Sequence, residues 1–214
     1  MEAKLRSVTQ AAIKNRVTPG GIVGIIRKNG ERTVFPFGHF TYENNAQKVQ
    51  PDSVYDLASI TKAIPTDALA LQLIDRGQLR LDDQLIEYLP EFSNNYRQEV
   101  RIKHLLTHTL TYAPGYKTSA YKELSAKEIK EAIFQRDFGQ PPGEVFNYSN
   151  IPSYLLGLVI EKICGEPLDT LAKREFFEPL NMPCSFHPED FKKEAIVPTE
   201  IDNWRGLVQG EIHD

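Results

Sequence analysis

Val54-Tyr55-Asp56-Leu57-Ala58-Ser59-Ile60-Thr61-Lys62 is the stretch on which the reading of this chain turns. From Ser59 to Arg76 the apolar residues follow amphipathic helical spacing, and Gly77 stops the pattern. Residues three apart share a helix face, so Ser59 and Lys62 are expected to project together at the helix N-terminus. An amine held beside a hydroxyl can take its proton when burial or nearby positive charge lowers the amine's pKa. The helix N-terminus favours the negative charge that then develops. Pro65 lies inside the pattern and predicts an early kink or distorted turn. Taken alone, Ser-x-x-Lys also fits a surface helix cap.

Upstream, residues 1–16 have helical spacing with Leu5, Val8, Ala12 and Ile13 on one face, broken by Thr18-Pro19-Gly20-Gly21. Ile22-Val23-Gly24-Ile25-Ile26 and Thr33-Val34-Phe35-Pro36-Phe37 flank Asn29-Gly30, a strong hairpin signal. Two strands alone are not a stable sheet, so this hairpin needs partners. Downstream the pattern is mostly helical. Leu79 to Pro90 reads as a loop-rich stretch anchored by Leu81, Leu85 and Leu89, and Arg101 to Thr107 as a short helix. Ser125-Ala126-Lys127-Glu128 is a capping box opening a helix through Phe134. Gln140 to Gly143 is a turn, Ile151 to Ile163 a helix stopped by Gly165, and Pro167 to Phe177 another helix.

The second chemical element is Asn147-Tyr148-Ser149-Asn150, after Pro142-Gly143-Glu144. A Tyr-x-Asn on extended or tight-loop backbone turns both side chains one way. The phenol can share proton transfer with a lysine. The amide can both donate and accept, orienting the amine and a substrate amide. A core tyrosine beside a turn asparagine is the plainer alternative for this tetrapeptide alone.

With these segments in place, the chain resembles the serine β-lactamase-like hydrolases, nearest the branch of class C β-lactamases, penicillin-binding DD-peptidases and esterases. The resemblance runs through Val54–Lys62, Leu79–Asp83 with Tyr88–Pro90, Ile102–Thr109, Pro142–Asn150, Glu178–Met182 and the segment from Arg205-Gly206 to His213-Asp214. It implies an α/β (α+β) fold of β-lactamase/transpeptidase type. The helical subdomain would be joined by the N-terminal hairpin of an incomplete antiparallel sheet, as one domain over residues 1–214. It implies that Ser59 is the nucleophile and forms an acyl-enzyme. Lys62 and Tyr148 would act as proton acceptor and donor, Asn150 would orient Lys62 and the substrate, and the Ser59 N–H would be one oxyanion donor. Tyr112, and Tyr116 after it, are expected to border the pocket and shape substrate access.

The family's third motif, Lys-Thr-Gly or His-x-Gly, is not in this sequence. The chain therefore reads as cut short of the strand that carries it, with association through the incomplete sheet as one consequence. The substrate expected is a small ester, amide, β-lactam or D-amino peptide. The alternatives are an inactive fragment or pseudoenzyme, and a sensor of β-lactams or cell-wall peptides that acylates without turnover.

Composition sets the remaining bounds. The 214 residues are 41% hydrophobic and 25% charged, with formal net charge -4. That balance gives no electrostatic reason for a nucleic-acid partner. No apolar run is long enough for a membrane span. Without a secretory leader the chain reads as cytoplasmic as written, or as periplasmic or extracellular if a signal has been removed. Cys164 and Cys184 read as two free thiols, one on a helix and one in a loop. No cofactor is called for. His104 and His108 are four apart, but His-Leu-Leu-Thr-His lacks the glutamate of the zinc motif, so packing and hydrogen bonding are expected of them. A triad of Ser59 with His213 and Asp214 is not favoured, because adjacent residues point in different directions.

Overall fold

A computed structural model describes residues 2–113, 124–203 and 206–211. The chain folds as two compact units, one from Met1–Asp56 with His187–His213 and one from Leu57–Phe186. No helix among the described residues is long and apolar enough to cross a membrane.

The first unit opens with helix α1, Glu2–Lys14. Its inward face differs from the expected one by a single position. Leu5, Ala12 and Ile13 are half-buried, but Val8 is 58% exposed and Thr9 is buried in its place. A buried hydroxyl is tolerated there because Thr9 Oγ1 donates to the Leu5 carbonyl at 2.9 Å. The expected hairpin follows: strand β1, Gly20–Ile26, pairs antiparallel with β2, Arg32–Gly38, from Gly20↔Gly38 to Ile26↔Arg32. Asn29-Gly30 forms its turn, with the Gly30 N–H donating to the Arg27 carbonyl at 2.9 Å. Phe40, Val49 and Val197 form a small core, with Ile22 and Tyr55 packed on it. Val54 forms a parallel bridge with Ile196: its N–H donates to the Ala195 carbonyl and its carbonyl accepts from the Val197 N–H, both at 2.8 Å. A second antiparallel pair, β3 (Glu200–Asp202) with β4 (Gly206–Val208), goes beyond the single hairpin read from the sequence.

The second unit is helical. It contains α2 (Ala68–Asp75), α3 (Leu85–Tyr88), α4 (Ile102–Leu106), α5 (Ala126–Gln135), α6 (Asn150–Cys164) and α7 (Leu168–Ala172). The capping box that opens α5 is made: Glu128 accepts from the Ser125 N–H at 2.8 Å, and Ser125 Oγ accepts from the Glu128 N–H at 3.3 Å. The central element is α6. Ile151, Leu155, Leu156, Val159 and Ile160 are all buried on it. Each such side chain contributes roughly 1.5–3 kcal/mol on removal from water. At its end Gly165 takes a left-handed φ of 71° and donates to the Glu161 carbonyl at 2.8 Å.

Around α6 gather Leu79, Leu85, Phe92, Ile102, Leu105 and Leu110, all essentially inaccessible. The Phe92 ring meets Phe134 edge-on at 5.8 Å. Of the three expected leucine anchors, Leu85 and Leu89 are buried. Leu81 is 47% exposed and Leu79 takes the inward position instead. The two cysteines are free and half-buried, Cys164 ending α6 and Cys184 in a loop.

Candidate active site

The distortion expected at Pro65 within the Ser59 to Arg76 helix is present, and it amounts to a break. Residues Lys62–Asp67 form a π-helical segment containing Pro65, and Ile64 has non-helical angles of φ -131° and ψ 111°. A proline ring crowds the residue before it out of the helical region, which is why the break falls on Ile64. Thr66 Oγ1 reaches back across the break to the Thr61 carbonyl at 3.2 Å. Regular helix resumes only at α2.

Ser59 consequently sits in a series of tight turns rather than in a regular first helical turn. The N–H groups of Ile60, Thr61 and Lys62 donate to the carbonyls of Leu57, Ala58 and Ser59 at 3.0, 3.1 and 3.1 Å. Just ahead of Ser59, Ala58 has a left-handed φ of 44°, uncommon for a residue with a side chain. This geometry exposes Ser59 and still brings Lys62 Nζ to 2.8 Å from Ser59 Oγ, with the amine donating.

Tyr148 joins this pair from a distant part of the chain. Lys62 Nζ lies 5.2 Å from the centroid of its ring. The ring is 53% exposed. The segment carrying it is tied to the loop after α4 at two main-chain points. The Gly143 N–H donates to the Thr109 carbonyl at 2.9 Å, and the Asn147 N–H donates to the His108 carbonyl at 2.8 Å. The imidazole of His108 lies against the Tyr148 ring, centroid to centroid 4.8 Å, with the planes tilted by 44°.

The two histidines of Ile102–Thr109 therefore have separate structural tasks. His104 is buried, and its Nδ1 accepts from the Arg101 N–H at 3.2 Å at the start of α4. Its other edge faces Gly143, where an added Cβ would lie 3.2 Å from His104 Nε2. Burial is the main cause that lowers the His104 pKa below 6.5, helped by Lys103 and Arg101. His108 has a left-handed φ of 52°, and its pKa is also lowered, first by burial and then by Lys62. Among the described residues no group of three or more His, Cys, Asp or Glu side chains is placed to hold a metal.

The other expected residues are less closely joined to the pair. Asn150 is the first residue of α6 and half-buried, and its side chain makes no hydrogen bond to Lys62 or Ser59. Ser149 sits at the N-cap of α6, but its Oγ is buried without a hydrogen-bond partner among the described residues. Tyr112 is half-buried and bridges Phe138, their ring centroids 4.6 Å apart, against the main core. Tyr116, His213 and Asp214 lie outside the described residues. The feature not anticipated from the sequence is His108 as the surface under Tyr148. The only signal was its place just after a short helix, where a histidine tolerates left-handed backbone.

A protein of Escherichia coli (strain K12) named "Putative D-alanyl-D-alanine carboxypeptidase" is 28% identical over 172 residues, covering 72% of this chain and 39% of the relative. "Protein flp" of Staphylococcus aureus (strain NCTC 8325 / PS 47) is 31% identical over 186 residues, covering 82% of this chain and 36% of the relative. The chain thus spans well under half the length of the curated relatives it matches. The solved structure titled "EstCE1, a hydrolase with promiscuous acyltransferase activity" superposes with a TM-score of 0.74 over 100% of this chain and 59% of its own, at 24% identity. That likeness shows the shared fold. The Beta-lactamase family model matches residues 5–205, and the chain belongs to the Beta-lactamase family.

Proposed function

We propose that this chain carries the acyl-transfer centre of a serine hydrolase acting on an ester or amide, β-lactams and D-amino peptides included. With Lys62 as the free amine, the Ser59 hydroxyl donates to Nζ, and Oγ attacks the substrate carbonyl as that proton passes to Nζ. The tetrahedral intermediate collapses to an ester on Ser59 as Lys62 and Tyr148 return the proton to the leaving group. Water then releases the acyl group by the same steps in reverse order. The Ser59 N–H stabilises the oxyanion, and Asn150, at the start of α6, orients the substrate.

The observation that carries this reading is the 2.8 Å contact between Lys62 Nζ and Ser59 Oγ, with the Tyr148 ring 5.2 Å from the same nitrogen. A hydroxyl, an amine and a phenol drawn from two separate stretches of chain are what a proton relay at an acyl carbonyl requires. The relatives' names add support, since a carboxypeptidase and a hydrolase with acyltransferase activity both handle acyl groups.

The test is mass spectrometry of the folded protein after exposure to a fluorophosphonate or a penicillin, together with turnover of p-nitrophenyl acetate. An adduct on Ser59 and turnover that Ser59→Ala abolishes are expected. An adduct that persists without turnover points to a sensor. Absence of any adduct in folded protein, or turnover that survives Ser59→Ala, refutes the proposal.

A further inference from the structure

We infer that His108 is a positioning residue, whose ring and carbonyl together set Tyr148 at its working distance from Lys62. The inference rests on the acyl-transfer reading above. Two contacts converge on the dipeptide Asn147-Tyr148. The His108 carbonyl accepts from the Asn147 N–H at 2.8 Å, and the His108 ring lies 4.8 Å from the Tyr148 ring. Both depend on the left-handed φ of 52° at His108, which turns the chain back on itself after α4. The main-chain contact fixes where Tyr148 leaves the backbone, and the ring contact fixes where the phenol lies. Since the Tyr148 ring is 53% exposed, a packed surface on one side has a large effect on its range of motion.

The choice of an imidazole has a further consequence. Burial, and after it Lys62, push His108 toward its neutral form. A neutral ring packs against the phenol without placing a second cation beside Lys62. His108 Nδ1 is buried with no hydrogen-bond partner among the described residues, and the ring packs against that of Tyr148. His108 touches no reacting atom in this scheme. It acts through Tyr148.

His108→Asn separates the ring from the backbone, because asparagine tolerates left-handed φ and keeps the carbonyl. The expected result is a protein with unchanged circular dichroism whose kcat for p-nitrophenyl acetate falls about tenfold to a hundredfold, the loss typical of a misplaced group. KM stays within about twofold, as for a group that acts on the chemical step alone. The NMR signals of the Tyr148 ring, assigned with Tyr148→Phe, shift in the variant. If His108→Asn fails to fold, His108→Gly supplies the same test, since glycine adopts that backbone freely. Unchanged kcat, or an unmoved Tyr148 signal, overturns the inference. If the wild-type protein shows no Ser59-dependent chemistry, the acyl-transfer reading fails by itself. The Tyr148 signal still decides whether His108 sets the ring.

Discussion

Replacing Gly143 with alanine tests the packing beneath the Tyr148 segment. Gly143 has φ 95°, in the region that favours glycine, and a left-handed backbone costs a residue with a Cβ roughly 1–2 kcal/mol. The new Cβ would sit 3.2 Å from His104 Nε2, closer than ordinary contact by a few tenths of an ångström, and 3.6 Å from Cδ2, an ordinary contact. His104 cannot easily retreat, because it is buried and its Nδ1 holds the Arg101 N–H. Overpacking of this kind adds about 1 kcal/mol. The stiffer unfolded chain returns roughly 0.4–1 kcal/mol. The net expectation is a loss of about 1–2.6 kcal/mol, which for a chain of this size lowers the thermal midpoint by roughly 2–10 °C. Calorimetry of Gly143→Ala in the wild-type and His104→Ala backgrounds separates the two causes. The clash, and with it about 1 kcal/mol of the loss, should vanish when the imidazole is absent. A midpoint that does not fall would refute the backbone argument. An equal loss in both backgrounds would refute the clash.

Two further outcomes are expected. His104 binds a proton less readily in the folded state than in the unfolded one, so it stabilises the fold above its ordinary pKa of 6.5. That contribution is lost as pH falls from 6.5 through the lowered folded value. Thermal midpoints measured from pH 7.5 to 5 should fall more steeply for wild type than for His104→Gln, and parallel curves would contradict this. Ala58→Gly should relieve the left-handed φ of 44° beside Ser59 and raise stability by about 0.5 kcal/mol, the balance of a relief of ~1–2 kcal/mol and an unfolded-state cost of ~0.4–1 kcal/mol. Urea unfolding reads the difference, and a drop in midpoint would count against strain at that position.

Much of this architecture is legible in the sequence wherever a local rule and the tertiary fold agree. Asn29-Gly30 sets the hairpin turn, Ser125 with Glu128 opens α5, and Gly165 closes α6, because each is a short-range arrangement of main-chain partners. The pairing of Ser59 with Lys62 was also legible, although turns and a broken helix achieve it rather than a regular helix face. Strands β3 and β4 escaped notice because three residues are too few to show alternation, and Ile201 and Leu207 are 62% and 50% exposed. Thr9 displaced Val8 from the buried face of α1 because its hydroxyl is satisfied by its own helix, which an apolar count does not register. The contact of His108 with Tyr148 was out of reach for another reason. It joins residues forty positions apart through a backbone angle that no periodicity encodes.

The interruption at Ile64 gives the two sides of the site different mountings. The phenol is mounted on a segment stitched to the loop after α4 and followed at once by the deeply embedded α6. The amine stands ahead of the break, on a segment that joins α2 through the Ala68 N–H, which donates to the Ala63 and Pro65 carbonyls. The amine is thus placed by contacts within its own few residues, and the phenol by a neighbour forty positions away along the chain.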